Sequence, residues 1–184
     1  AECNFGYRES VFKNIYKDQF IITSVTYKLN KQPVYNTSYG AIDQELEKME
    51  VKELSIKAIS DAVVAIRTSK LPDPKLIGNS GSFFKNPVIA NDLFRTIKEK
   101  HPTISFYPAG PNETKIAAGW LIEQAGWKGK ILGNGRYGVH KNQALVLVNY
   151  GGATGKEIYD LSADIISSVK EKFGIELHRE VNIL

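Results

Sequence analysis

The sequence predicts an α+β fold, with strand-like and helix-like segments distributed along one chain of 184 residues. Apolar and polar residues alternate over residues 20–29, which is typical of a half-buried antiparallel strand. Elsewhere apolar residues recur every three or four positions, the spacing of amphipathic helices. A continuous apolar run at residues 144–149 predicts a buried strand. With 42% hydrophobic residues, the chain can bury a core of its own.

Two helices are predicted in the first part of the chain. Residues 42–49 carry charges at helical spacing, and Ser55 can cap a second helix. The apolar positions of that second helix are Ile56, Ile59, Val63 and Ile66. We expect it to end before Pro72, because a proline cannot continue a helix and restricts the residue before it.

The segment Pro72-Asp73-Pro74 is the predicted hinge between domains, because two prolines fix the local φ angles. We therefore divide the chain into residues 1–71, residues 72–174 and a tail of residues 175–184. The second part contains three predicted helices, at residues 91–100, 117–124 and 154–174. Thr154 and Glu157 have the spacing of a capping box, and Gly174 ends that helix. Residues 175–183 are expected to be extended.

Composition and charge restrict the classes of partner. The net charge is +4 and the pI is about 9.0, which is compatible with an anionic ligand. Acidic and basic residues are interspersed, whereas nucleic-acid readers cluster their basic residues, so no nucleic acid is expected. No apolar run approaches the roughly 20 residues that span a membrane, and no signal peptide is recognisable. A cytoplasmic protein with no membrane partner is the expectation.

Because the chain begins at Ala1 without a methionine, we expect it to be part of a longer protein.

Two kinds of site are not expected. Cys3 is the sole cysteine, so an intramolecular disulfide cannot form, and the three histidines lack metal-ligand spacing. Residues 133–138 match G-x-G-x-x-G, the fingerprint of dinucleotide binding, but the following sequence leads into a strand rather than a helix. The pyrophosphate would then lack its helix N-terminus. A glycine-rich loop is predicted there instead.

The segment Gly78-Asn79-Ser80-Gly81-Ser82-Phe83-Phe84-Lys85-Asn86-Pro87 is the most informative part of the chain. It places the Ser82 hydroxyl between flexible glycines and two aromatic residues. The spacing does not fit the G-x-S-x-G elbow of hydrolases. From the residues alone, Ser82 is either an ordinary loop serine or a proton donor.

That segment occurs together with Tyr7-Arg8, Lys70-Leu71-Pro72-Asp73-Pro74 and the late acidic residue Glu180. In this combination the chain resembles the UDP-N-acetylenolpyruvoylglucosamine reductase family of peptidoglycan precursor synthesis. The resemblance implies that NADPH reduces a bound FAD and that the reduced flavin delivers hydride to UDP-N-acetylglucosamine enolpyruvate. It also implies that a serine hydroxyl then protonates the neighbouring carbon.

The resemblance assigns catalytic roles to three residues. Ser82 is the implied proton donor, Arg8 the implied stabiliser of the enolate-like intermediate, and Glu180 assists Arg8. An arginine suits that role because it stays charged and binds carboxylates with two hydrogen bonds. The implied substrate contacts are Tyr39, Lys70, Asn86, Tyr107, Lys128 and Gln143. Each has an alternative, such as a surface ion pair, a solvated helix end or a half-exposed surface group.

The resemblance also bears on what this chain can do by itself. It implies that residues 1–71 are the end of an FAD-binding domain, that residues 72–174 form the substrate-binding domain, and that the tail returns to the active site. Most flavin contacts would precede Ala1, so we expect the isolated chain to bind FAD poorly and to turn over slowly. The alternative function is a noncatalytic module that binds a nucleotide sugar or another diphosphate through Lys70, Lys128 and Tyr107.

Overall fold

A computed structural model describes residues 2–38 and 40–183 of the chain. The chain divides into two compact units, Ala1–Asn36 and Thr37–Leu184. Within the second unit the described residues form five α-helices and seven strands, and the strands make two antiparallel sheets. The predicted α+β class is therefore confirmed.

The first unit is mostly irregular. It contains a short 3₁₀ helix, Val11–Lys13, and the ring of Phe20 packs edge-on against that of Tyr16, 5.3 Å away. The strand predicted at residues 20–29 is wrong, because these residues pair with no strand among those described. Ile21 is 91% exposed. Side-chain alternation is a local pattern, whereas a strand also requires a partner for its backbone N–H and C=O groups.

The helices of the second unit lie within a few residues of their predicted positions. They are α1 (Ile42–Lys48), α2 (Ile56–Lys70), α3 (Asn91–Lys100), α4 (Ala118–Gln124) and α5 (Gly155–Phe173). Ser55 caps α2, since its Oγ accepts a hydrogen bond from Ala58 N at 3.1 Å. Thr154 and Glu157 form the predicted capping box. Gly174 ends α5 with a φ of +68°, a conformation that glycine adopts without strain.

The strands form two antiparallel sheets. They are β1 (Gly78–Ser82), β2 (Val88–Ala90), β3 (Phe106–Gly110), β4 (Glu113–Ile116), β5 (Ile131–Leu132), β6 (Tyr137–Val139) and β7 (Val146–Asn149). One sheet has the order β1-β7-β6-β5, and the other has the order β2-β4-β3. β7 confirms the strand predicted at residues 144–149. Residues 175–183 form no strand, and their pairing consists of one bridge, in which Arg179 lies opposite Phe84.

The second unit has two separate apolar clusters. The larger one joins residues of both sheets with α3, α4 and α5, and Phe84, Leu121 and Ile165 are among its buried members. The smaller one lies between α1 and α2. Its buried side chains are Ile42, Leu46 and Ala62. The α1–α2 pair therefore has an apolar core of its own.

The glycine-rich run at residues 133–138 contains the turn of the β5–β6 hairpin and is followed by no helix, as predicted. Gly138 passes so close to β5 that an added Cβ would lie 2.2 Å from Lys130 O. Arg136, in the turn, donates from Nη2 to Glu157 Oε1 at 2.6 Å and from Nη1 to Gly152 O at 2.7 Å. The glycines serve a tight hairpin tied to the start of α5.

Among the helices that the described residues form, none has the combination of length and apolar character needed to cross a membrane.

Candidate functional site

Ser82 is the last residue of β1, and a β-bulge determines how it is presented. Asn79 pairs with Val148, but Ser82 pairs with Val146, so β1 has one more residue than β7 over this interval. The residue before Ser82, Gly81, has a φ of +73°. Asn79 fixes this conformation, because its Oδ1 accepts a hydrogen bond from Gly81 N at 3.0 Å. A bulge bends its strand and redirects the following side chains.

The Ser82 side chain lies on an exposed part of the surface. Its hydroxyl makes no hydrogen bond to another residue in the described part of the chain. The next two residues anchor it: Phe83 and Phe84 are only 4% and 1% exposed, and Phe83 N donates to Leu145 O at 2.8 Å. Ser82 therefore has an accessible hydroxyl, and the backbone that follows it is held in place by buried side chains.

The tail brings Glu180 to the same end of β1. Glu180 N donates to Phe83 O at 2.8 Å, and Lys85 N donates to His178 O at 2.9 Å. These two bonds flank the bridge between Phe84 and Arg179. The half-buried Glu180 is thus paired through its backbone with the residue that follows Ser82.

A second group of predicted residues meets around the loop between β6 and β7. Asn142 Nδ2 donates to Ser69 O at 3.2 Å, which joins this loop to the end of α2, where Lys70 is the last residue. Gln143 follows Asn142, and its Oε1 accepts a hydrogen bond from Leu145 N at 3.3 Å. The structure thereby brings Lys70 and Gln143 into one neighbourhood, although they are far apart in sequence.

Asn86 and the start of α4 border the same loop. Asn86 Oδ1 accepts a hydrogen bond from Ala118 N at 2.9 Å, which fixes the orientation of the amide. One residue later, a Cβ added to Gly119 would lie 3.3 Å from Gln143 Oε1. Asn86, Gly119 and Gln143 are therefore linked by close contacts, and Leu145 connects them to the strand end that carries Ser82.

His140 lies at the base of this loop and is 6% exposed. Its backbone N donates to Val146 O at 2.9 Å, whereas its Nδ1 is buried and has no hydrogen-bond partner among the described residues. Burial, with a smaller contribution from the Lys141 charge, lowers the pKa of His140 below its ordinary value. The imidazole is therefore neutral near neutral pH.

Tyr107 and Lys128 are not brought into contact. Tyr107 is 46% exposed and lies on β3 opposite Lys115, whose Nζ is 5.8 Å from the centre of the tyrosine ring. Lys128 follows α4, and its Nζ is 2.8 Å from Glu123 Oε1 in an ion pair. No direct interaction between Tyr107 and Lys128 occurs in the described residues.

The remaining two predicted site residues are Arg8 and Tyr39. Arg8 belongs to the first unit, has a φ of +59°, which is uncommon for a residue other than glycine, and accepts a hydrogen bond from Lys13 Nζ at its carbonyl oxygen. Tyr39 is not among the described residues.

The structure also contains a cleft of about 950 Å³ between β1, β7, the start of α5 and the tail, and Ser80 lines it, but Ser82 does not. Arg179 lies in its wall and is held internally, with Nε donating to Ser162 Oγ at 2.7 Å and the guanidinium 4.3 Å from the ring centre of Tyr159. The two serines of β1 therefore have different surroundings.

Within residues 2–38 and 40–183, no group of His, Cys, Asp and Glu side chains could hold a metal ion.

Sequence reasoning missed Asn79 and Asn142. The Asn-Ser-Gly order at residues 79–81 is a signal for a side chain that bonds its own backbone two residues on, and it could have identified Asn79. Asn142 gives no such signal, because its partner lies 73 residues away.

Comparison with known proteins agrees with the resemblance. Residues 73–184 match the family model described as UDP-N-acetylenolpyruvoylglucosamine reductase, C-terminal domain. A protein of that name from Flavobacterium johnsoniae is 59% identical over 185 aligned residues, which cover 100% of this chain and 54% of that protein. Another protein of the same name, from Amoebophilus asiaticus, is 51% identical over 182 aligned residues. That alignment covers 99% of this chain and 53% of the relative. The chain thus spans about half the length of these curated relatives.

Proposed function

Because the chain belongs to the UDP-N-acetylenolpyruvoylglucosamine reductase family, we propose that it carries the substrate-binding and proton-donating part of a reductase. The proposed substrate is UDP-N-acetylglucosamine enolpyruvate, the proposed product is UDP-N-acetylmuramate, and the setting is peptidoglycan precursor synthesis in the cytoplasm. The observation that carries the proposal is the bulge that presents Ser82, with Glu180 paired beside it.

Ser82 supplies the proton of the reduction. Reducing the enolpyruvyl carbon–carbon double bond requires one hydride equivalent and one proton, and hydride addition leaves negative charge shared between carbon and carboxylate. A serine hydroxyl is a weak acid, but such a carbon is a strong base, so position matters more than acidity. The exposed hydroxyl on a rigid strand end supports this role.

Arg8 and Glu180 stabilise the charge that develops on the substrate carboxylate. A guanidinium keeps its charge at any working pH and can donate two parallel hydrogen bonds to a carboxylate. Glu180 assists, and its backbone pairing with Phe83 supports a position near Ser82. The role of Arg8 rests on the resemblance.

Lys70, Asn86 and Gln143 hold the nucleotide sugar. Their links through Asn142, Ala118 and Leu145 support a common binding face. Tyr107 and Lys128 bind the diphosphate, which requires Lys128 to exchange its bond with Glu123 for phosphate oxygens. Tyr39 is proposed as a further substrate contact on the resemblance alone.

FAD and NADPH are the proposed cofactors, and they supply the reducing equivalents when bound. The G-x-G-x-x-G run that could have held a dinucleotide is a hairpin turn in this structure, so the run does not fit either cofactor. Because the chain spans about half the length of its relatives and the resemblance implies that most flavin contacts lie in the other part, we expect this chain by itself to bind FAD weakly and to turn over slowly. The proposed substrate domain begins at residue 72, and the start of the family match at residue 73 supports that boundary.

The proposal is tested by titrating the purified chain with UDP-N-acetylglucosamine enolpyruvate in a calorimeter. Wild type should bind, and Lys70→Met should weaken binding about tenfold or more, because a charge-assisted hydrogen bond is lost. Lys57→Met is the matched control, since Lys57 lies on the same helix at its other end and pairs with Asp61. Binding that is unaffected by Lys70→Met, or absent altogether, would contradict the proposed site.

A further inference from the structure

The end of α2 is held by a side chain from a distant loop. The last four carbonyl groups of a helix have no partner within the helix, and Ser69 O is one of these at the end of α2. Asn142 Nδ2 donates to this oxygen at 3.2 Å. Asn142 therefore acts as a cap for α2, through a carbonyl group 73 residues before it in the sequence.

The Asn142–Ser69 hydrogen bond connects the α1–α2 pair with the rest of the second unit. The α1–α2 pair packs around its own small apolar cluster, separate from the main one. Among the described residues, the Asn142–Ser69 bond is the hydrogen bond that joins residues 40–71 to residues 72–183. Within the described part of the chain, it adds a polar contact at the end of α2 to the covalent connection through Leu71 and Pro72.

The loop on the other side of the bond is itself well fixed. His140 N donates to Val146 O at 2.9 Å, and Val146 N donates to Gln143 O at 3.0 Å. Gln143 Oε1 is oriented by Leu145 N at 3.3 Å. A rigid loop that caps a helix end fixes the residue next to the cap, which here is Lys70.

We infer that Asn142 is a positioning residue for nucleotide-sugar binding, acting by capping α2 so that Lys70 is held beside Gln143. The inference rests on the proposed function, because Lys70 and Gln143 are proposed substrate contacts. Asn142 itself need not touch the ligand. Its effect on affinity should therefore depend on Lys70.

The test is a double-mutant cycle on the full chain, with dissociation constants for UDP-N-acetylglucosamine enolpyruvate measured by calorimetry. Asn142→Ala should weaken binding roughly two- to tenfold, the range expected for the loss of one hydrogen bond. In the Lys70→Met background, Asn142→Ala should change the dissociation constant very little, because the lysine that Asn142 positions is already absent. Ser69→Ala is the control: it keeps the carbonyl that accepts the bond, so affinity should stay at the wild-type value.

Amide hydrogen exchange tests the cap without ligand. In Asn142→Ala the amides of residues 68–71 should exchange faster, because the last turn of α2 frays, while those of α1 should be unchanged. Unchanged exchange at residues 68–71, or an equal loss of affinity with and without Lys70, would overturn the inference and leave the proposed function standing. If neither wild type nor any variant binds the nucleotide sugar, the proposed function fails, and the positioning role fails with it.

Discussion

The backbone conformation just before Ser82 depends on Gly81 and Asn79, to which no catalytic role is assigned. Gly81 supplies a left-handed backbone, and Asn79 holds it through a hydrogen bond to Gly81 N. The sequence indicated Ser82 through its place between flexible glycines and two aromatic residues, together with the family resemblance. The Asn-Ser-Gly order before it contained the turn signal. The sequence could not point to Asn142, because contacts between distant segments leave no local pattern.

One residue-scale prediction concerns Glu157 and acid stability. The hydrogen bonds from the Arg136 side chain, followed by that from Thr154 N, lower the pKa of Glu157 from 4.5 to about 2. Because the folded pKa is the lower one, this carboxylate stabilises the fold above about pH 4.5, and the stabilisation is lost as pH falls toward about 2. We expect Glu157→Gln to lower Tm near neutral pH, with the Tm difference from wild type shrinking across this acid range.

Thermal unfolding followed by circular dichroism at a series of pH values measures this difference. Glu171→Gln removes a carboxylate from the same helix without removing an arginine contact, so it should change Tm much less. A Tm difference for Glu157→Gln that stays constant down to the acid limit would contradict the assigned role of the ion pair.

At the scale of elements, helices and strands differ in how far the sequence determines them. The helices were predicted because their caps and apolar spacing are local, as in the capping box of α5 and the Ser55 cap of α2. Residues 20–29 show strand-like alternation but have no partner strand among the described residues. Pairing is a property of two segments, so one segment cannot predict it.

The tight β5–β6 hairpin gives an element-scale prediction. A Cβ on residue 138 would lie 2.2 Å from Lys130 O and 2.9 Å from Ile131 Cα, and backbone atoms cannot move aside cheaply. Gly138→Ala should therefore lower the free energy of unfolding by about 3 kcal/mol, the cost of a severe overpacking. Chemical denaturation of wild type and variant measures the change.

Gly155→Ala is the matched control for that experiment. An added Cβ at Gly155, the first residue of α5, would have no neighbour within 4 Å. Alanine also favours a helix over glycine by up to about 1 kcal/mol, so this variant should be as stable as wild type or more stable. Equal stabilities for Gly138→Ala and Gly155→Ala would show that the hairpin is less tightly packed than described.

At the scale of the whole molecule, most of the proposed site residues belong to the second unit. The second unit brings together Ser82 and Glu180 at the end of β1, and Lys70 and Gln143 at the loop between β6 and β7. The first unit carries Arg8. The chain spans about half the length of its relatives. The main proposal is therefore that this chain donates the proton through Ser82.

The role of Ser82 is tested by the rate at which substrate reoxidises the reduced flavin, measured in flavin-containing protein that includes these residues. Ser82→Ala should lower that rate roughly 10²–10⁴-fold, the usual contribution of a positioned acid, while the substrate still binds. Ser80→Ala removes a serine hydroxyl two positions earlier on β1, in a cleft that Ser82 does not line, and should leave the rate near wild type. If the Ser82→Ala protein binds substrate and reacts at the wild-type rate, Ser82 is not the proton donor.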